Sequence, residues 1–158
     1  MPSFLPAATD DPVAARLLDD YFAARARGFT THADGYRVNR PEPARFVPPV
    51  GEFLLVHDDA GEAVGCGGIR RIDDVDGLRT YEVKHVWIDE SVRGRGWSRL
   101  LMDELERRAR SFGAQYAVLD TNESLTAAQH LYRTSGYTEI AAYNDNPNAT
   151  HWFGKRLD

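Results

Sequence analysis

At 158 residues and a net charge of −5, the chain has the length of one domain with one substantial core, and its acidic balance argues against a general nucleic-acid binder, which would show a basic face. Hydrophobic and charged fractions of 42% and 27% are those of an ordinary globular chain rather than a disordered or membrane-embedded one. The single cysteine excludes an internal disulfide, Met1 to Pro12 lacks a basic start followed by an apolar run, and no apolar run is long enough to span a bilayer, so a cytoplasmic chain with no membrane association is expected.

Thr9 or Asp10 is placed to cap a first helix, with Pro12 in its opening turn. Val13, Leu17, Leu18, Tyr21 and Phe22 form its apolar face, and Gly28 stops it. Residues 29–50 are interrupted by Arg40-Pro41-Glu42-Pro43 and Pro48-Pro49 and read as an ordered loop or a short helix. Phe53 to His57 and Ala63 to Arg71 then read as a hairpin around Asp58-Asp59-Ala60-Gly61. Gly65, Gly67 and Gly68 inside its second strand point to a bulge or a close backbone contact. Cys66, among them, has no thiolate-stabilising neighbour in the sequence and reads as a buried structural thiol.

Asp73-Asp74-Val75-Asp76-Gly77 lacks the remaining calcium-loop ligands and the closing glutamate and reads as a solvated hairpin tip. Thr80 to Ile88 is the next strand. A helix from about Ser98 carries Leu101, Leu105, Ala109 and Phe112 on one face, and Gly113 ends it. Tyr116 to Thr121 forms a strand. Leu125, Ala128, Leu131 and Tyr132 mark another helix, stopped at Ser135-Gly136. Tyr137 to Ala141 and His151 to Leu157 read as closing strands joined by the turn-rich Asn144-Asp145-Asn146-Pro147-Asn148. The helix after Ile88 must cross between parallel neighbours, since it joins two strands of one sheet. The order predicts an α/β fold of the α+β kind with a mixed sheet.

The stretch Val86-Trp87-Ile88-Asp89-Glu90-Ser91-Val92-Arg93-Gly94-Arg95-Gly96-Trp97-Ser98-Arg99-Leu100-Leu101 carries the chemistry. A strand, a glycine turn and a helix N-terminus together make an anion site. The glycines let backbone approach a phosphate, the first-turn N–H groups are unpaired, and the helix dipole favours negative charge. Arg93, Arg95 and Arg99 add cations suited to phosphate oxygens. On residues alone, a plain glycine turn capped by Ser98 stays open as the other reading. There is no Gly-Lys-Ser/Thr and no Gly-x-Gly-x-x-Gly opening a βαβ unit.

Arg93, Gly96 and Ser98 resemble the acyl-CoA pyrophosphate loop of the GNAT acyltransferase superfamily, Arg/Gln-x-x-Gly-x-Gly/Ala, with Ser98 in the last small position. Ala128-Gln129-His130-Leu131-Tyr132-Arg133-Thr134-Ser135-Gly136-Tyr137 resembles a second segment of the same family. The resemblance runs from about Phe53 to the C-terminus and extends to small bacterial-type N-acetyltransferases. It implies the GNAT fold: a mixed sheet of about six to seven strands with flanking helices and a V-shaped splay between the fourth and fifth strands. It also implies one domain over residues 1–158, with acceptor-side helices and loops in 1–50 and the sheet and acyl-CoA site in 53–158.

The implied activity is direct transfer of an acetyl group from acetyl-CoA, as co-substrate, to a primary amine of a small molecule or peptide. A non-catalytic acyl-CoA-binding sensor or regulatory module is the alternative. The implied cofactor site comprises Val86, Trp87 and Ile88, whose backbone would pair with the pantetheine arm, and Arg93, Gly94, Arg95, Gly96, Trp97, Ser98 and Arg99 around the pyrophosphate. Leu125 stands where many relatives have an asparagine toward the arm, and Asn122 is the substitute. Tyr132 matches the tyrosine that protonates the leaving thiolate, and Glu82 the position of a general base acting through a water. By strand alternation Glu82 shares a face with Lys84, Val86 and Ile88, and His85, the alternative base, faces the other way unless a bulge turns it. No histidine has ligand-like spacing, so no metal is expected. The expected partners are acetyl-CoA and an amine acceptor, a cationic one given the acidic chain, without nucleic acid or membrane; a homodimer is left open.

Overall fold

Strands β1 (Ser3–Pro6), β2 (Gly51–His57), β3 (Ala63–Arg71) and β4 (Thr80–Ile88) pair antiparallel in that order in the computed structural model, which describes residues 1–157. β5 (Tyr116–Thr121) joins β4 in parallel. With β6 (Thr138–Ile140) and β7 (His151–Arg156) the sheet has seven strands in the order β1-β2-β3-β4-β5-β7-β6. The mixed sheet and its parallel β4–β5 step agree with the sequence pattern. β1 was not foreseen there: four residues ending in Pro6, with Pro2 just before, are too short to show alternation.

Two helical layers cover the sheet. Helix α1 (Pro12–Arg27) is capped by Asp11, whose carboxylate accepts from Val13 N at 3.0 Å and Ala14 N at 3.3 Å, so Asp11 rather than Thr9 or Asp10 performs the capping. Its buried face, Ala14, Leu17, Leu18, Tyr21 and Phe22, packs on Phe53, Leu55 and Cys66. Residues 29–50 hold one short 3-10 turn, Pro43–Phe46, whose Phe46 is buried against the same face. Gly68 permits this, since a Cβ there would lie 2.8 Å from the Phe46 ring.

Helices α2 (Trp97–Ser111) and α3 (Thr126–Thr134) lie on the other side. Leu101, Met102, Leu105 and Ala109 of α2 meet Leu54, Val56, Ile69, Tyr81 and Val83 of the sheet. Phe112 caps the end of α2 and packs on Tyr81, 6.1 Å between centroids. Glu106 is buried yet fully compensated: it accepts from Tyr137 Oη at 3.0 Å and Lys155 Nζ at 2.7 Å, tying α2 to the last strand. No helix among the described residues is long and apolar enough to cross a membrane.

Candidate active site

β4 and β5 pair only at Thr80↔Tyr116, Tyr81↔Ala117 and Glu82↔Val118, and then separate. The backbone of β4 from Val83 to Ile88 therefore presents a strand edge with no ladder partner on the β5 side, the place where an extended arm can add as a strand. On its other side β4 is bulged against β3. Cys66 pairs with Trp87 and Gly68 with Lys84, so His85 and Val86 together oppose Gly67. His85 takes φ +58°, a left-handed conformation uncommon for a side-chain-bearing residue. Cys66, buried and with its thiol pushed up by desolvation, donates to the carbonyl of His85 at 3.4 Å.

The bulge inverts the facing order beyond Lys84. Val86 and Ile88 pack in the α2-side core and Trp87 packs on the α1 side. His85 meets Tyr21, Phe22 and Phe46 on the α1 side. Glu82 thus does not share its face with Val86 and Ile88, and His85 does not face away from it. Simple alternation fails because one extra residue is inserted.

Helix α2 starts at Trp97, with Gly96 as its cap at φ +77°. No side chain caps its first turn, so Ser98 does not cap it, and the opening N–H groups have no side-chain acceptor. Gly94, at φ +81°, and Gly96 both have open space where a Cβ would stand. The arginines divide. Arg95 lies over the Trp97 ring at 5.5 Å and is exposed beside the turn. Arg93 donates from Nε to the Ile88 carbonyl at 2.9 Å, fastening the turn to the strand end. Arg99 donates to Thr134 O, Thr134 Oγ1 and Ser135 Oγ, joining α2 to the end of α3. The Trp97 ring is core, so what Trp97 presents at the turn is its backbone N–H.

A cavity of about 590 Å³ opens on the α1 side of the splay. Its walls come from α1, the 36–42 loop, β3, β4, the end of β5 and the 144–149 loop. Two buried polar atoms in its lining, His85 Nδ1 and Thr121 Oγ1, have no hydrogen-bond partner among the described residues. Burial, with Lys84, Arg70 and Arg25 nearby, lowers the His85 pKa to about 3, so its ring is neutral. Asn122 also lines the cavity, but its amide donates to Thr31 Oγ1 and Asn148 O and accepts from Ser124 N.

Glu82 sits behind this wall. One carboxylate oxygen accepts from Arg70 Nε at 2.8 Å and the other from Tyr143 Oη at 2.7 Å and Asn144 Nδ2 at 3.4 Å. Arg70 and Asn144 in turn line the cavity. Tyr132 is buried against Tyr137 and Phe153, and desolvation raises its pKa to about 12, so at neutral pH it is a hydroxyl with a proton to give.

The profile of the Acetyltransferase (GNAT) family matches residues 14–137. The chain belongs to that family. An uncharacterised N-acetyltransferase of Schizosaccharomyces pombe is 29% identical over 103 residues, 65% of this chain and 61% of the relative. The chain spans between 32% and 61% of the length of the curated relatives it matches. Among solved structures, a candidate acyl-CoA N-acyltransferase from Klebsiella pneumoniae superposes with TM-score 0.79 at 25% identity, covering 100% of this chain and 99% of that one. A GNAT family acetyltransferase from Elizabethkingia anophelis, solved with acetyl-CoA bound, gives 0.63 at 14% identity over 98% and 97% of the two chains, a likeness of fold.

Within this GNAT chain the cavity holds residues that sequence reasoning did not single out: Arg25 on α1, Arg70 on β3 and Asp120 on β5. Tyr143, which holds Glu82, was missed as well. Only the Arg70 position had a readable signal, as the residue paired directly across from Glu82 in a predicted hairpin. The cavity walls are also not acidic. Arg25, Arg37, Arg40, Arg70 and Lys84 face Glu42 and Asp120, which removes the ground for expecting a cationic acceptor.

Proposed function

We propose that this chain is an N-acetyltransferase that moves an acetyl group from acetyl-CoA to a primary amine by direct attack. The observation that carries the reading is the coincidence of three features at one place: the β4–β5 splay, the uncapped glycine turn at the α2 N-terminus, and a cavity on the far side with unmet hydrogen-bonding capacity. Family membership supports it.

The residues fit acetyl-CoA. The N–H groups of Trp97, Ser98 and Arg99 and the turn Arg93-Gly94-Arg95-Gly96 would hold the pyrophosphate, and the open space at both glycines allows the close approach this needs. The free edge of β4 over Val86, Trp87 and Ile88 would pair with the arm, and Asn122 lies just past the end of β5, at the open end of the splay. Bound acetyl-CoA supplies the acetyl group as a thioester. A backbone N–H of β4 polarises its carbonyl. Tyr132 gives its hydroxyl proton to the departing sulfur as the C–S bond breaks and the C–N bond forms. Glu82 takes up the proton of the attacking amine through a water, since its own oxygens reach the cavity only by way of Arg70 and Asn144.

The test is a panel of amines incubated with acetyl-CoA and read by release of free thiol. Thiol release that depends on the amine, with a matching acetylated product by mass, supports transfer. A chain that binds CoA and acetylates nothing across a broad panel is a CoA-binding module instead.

A further inference from the structure

The cations of the acceptor cavity are not equivalent. Arg40 is paired with Asp19, Arg70 with Glu82 at 2.8 Å and Lys84 with Asp120 at 3.8 Å. Arg37 is exposed and pairs with none of the acids; Arg25 likewise has no carboxylate within ion-pair distance among the described residues. Its guanidinium lies over the Tyr21 ring at 5.0 Å, half-buried in the cavity wall. The ionisable groups that interact with it are the tyrosines Tyr21, Tyr36 and Tyr132 and the imidazole of His85. Glu42, the remaining unpaired acid of the lining, is exposed.

A guanidinium taken partly out of water without a counter-charge is costly, and chains do not keep one at a cavity wall without compensation. Stacking on Tyr21 supplies part of it. The rest is available to a ligand. The planar fork of an arginine matches a carboxylate with two parallel hydrogen bonds, and tyrosine hydroxyls beside it can donate to the same oxygens. The position also fits: Arg25 lines the same cavity as His85 and Thr121, beside the splay.

We infer that the acceptor is an amine that also carries a carboxylate, an amino-acid-like molecule whose carboxylate is clamped by Arg25 while its amine points to the splay. This rests on the acetyltransferase reading. Arg25 places the acceptor by its anionic end. His85 Nδ1 and Thr121 Oγ1, both unpartnered and both in the same lining, are left to meet the N–H groups and other polar atoms at the reacting end.

The experiment uses the twenty common α-amino acids against their carboxamides, with a polyamine and a dipeptide set alongside, in wild type, Arg25→Gln and Arg25→Lys. The readouts are thiol release and, separately, the rise in Tm caused by each N-acetyl amino acid or its amide in the presence of CoA. The expected result is that at least one acid outruns its amide tenfold or more in kcat/KM. That ratio should collapse in Arg25→Gln, mostly through KM, and return in part in Arg25→Lys, with the CoA-induced rise in Tm retained throughout. A carboxamide or polyamine used as well as the acids, or an Arg25→Gln loss equal for acid and amide, overturns the inference. Should dipeptides be preferred over every free amino acid, the clamp serves a chain terminus and the small-molecule assignment falls. If no amine is acetylated, the stabilisation by N-acetyl acids decides. An Arg25-dependent rise in Tm keeps the carboxylate clamp and removes the transferase reading, and no rise removes the clamp.

Discussion

His85 meets Tyr21 edge-on, with ring centroids 5.4 Å apart and planes at 88°. The contact exists because the bulge in β4 turns a residue that alternation would send to the α2 side toward α1. It buries an imidazole among aromatic rings, with Lys84, Arg70 and Arg25 as the charges facing it.

This burial predicts an acid-sensitive fold. In the native state the His85 pKa is lowered to about 3 from an ordinary value near 6.5, so the unfolded chain takes up a proton that the folded chain refuses. The contribution is absent as a penalty above about pH 6.5 and grows as pH falls toward the native value, by at most ~1.4 kcal/mol per pH unit. Glu104, held down to about 2 by Arg107 and Arg108, acts in the same sense but only below the ordinary carboxylate range. Denaturant midpoints between pH 7.5 and 4.5 should therefore fall in wild type and fall less steeply in His85→Gln. Equal slopes would mean that the folded imidazole protonates as freely as the unfolded one.

The glycine turn gives the second prediction. Gly96 has φ +77° and nothing near its missing Cβ, so Gly96→Glu strains the cap and places a carboxylate where the pyrophosphate is to lie. If the turn holds a pyrophosphate, CoA should raise the Tm of wild type by binding only the native state. In Gly96→Glu that rise should vanish, while circular dichroism shows a folded chain. An unchanged CoA shift in the folded variant would remove the pyrophosphate assignment from this turn.

The turn and the second motif were legible because both are local. Gly94, Gly96 and the helix that follows need no distant partner to adopt their shape, and the Leu131-Tyr132 to Gly136-Tyr137 segment ends α3 by its own backbone bonds. The bulge was not legible in its consequence. Gly67 signals close contact, but which way His85 turns is fixed by the register of β3 against β4. The cavity was hidden for the same reason. Arg25, Arg70 and Asn144 lie far apart in sequence and meet only through the sheet, and a chain charge of −5 says nothing about the sign at one wall.

Tyr132 gives the third prediction. Its hydroxyl stays protonated through the neutral range because burial raises its pKa to about 12. Tyr132→Phe removes only that hydroxyl and leaves the ring on Tyr137 and Phe153. The CoA-induced rise in Tm should persist, and kcat should fall roughly ten- to ten-thousand-fold, the span around a positioned proton donor. Turnover at the wild-type rate would make Tyr132 a packing residue.

The last prediction separates Glu82 from His85. An ammonium has no lone pair, so kcat/KM for an amine should rise with pH until the amine or the group that accepts its proton is neutralised. Glu82 is 1% exposed and bonded by Arg70, Tyr143 and Asn144. Glu82→Gln keeps the size and the oxygen that Tyr143 can reach but removes the charge, leaving Arg70 without its carboxylate. The variant should be checked for a retained CoA shift, since loss of a buried partner can weaken the fold. Given that shift, its rate should fall by about a hundredfold or more near neutral pH and recover part of the loss at high pH, where free amine is abundant. His85→Gln should cost less, because an imidazole whose pKa lies near 3 holds a proton too weakly to drive its removal from an amine. The reverse result, with Glu82→Gln unaffected at pH 7 and His85→Gln nearly inactive, would make His85 the base. The bulge that turns its ring into the cavity would then be part of the catalytic machinery, and the Glu82–Arg70 pair a structural brace behind it.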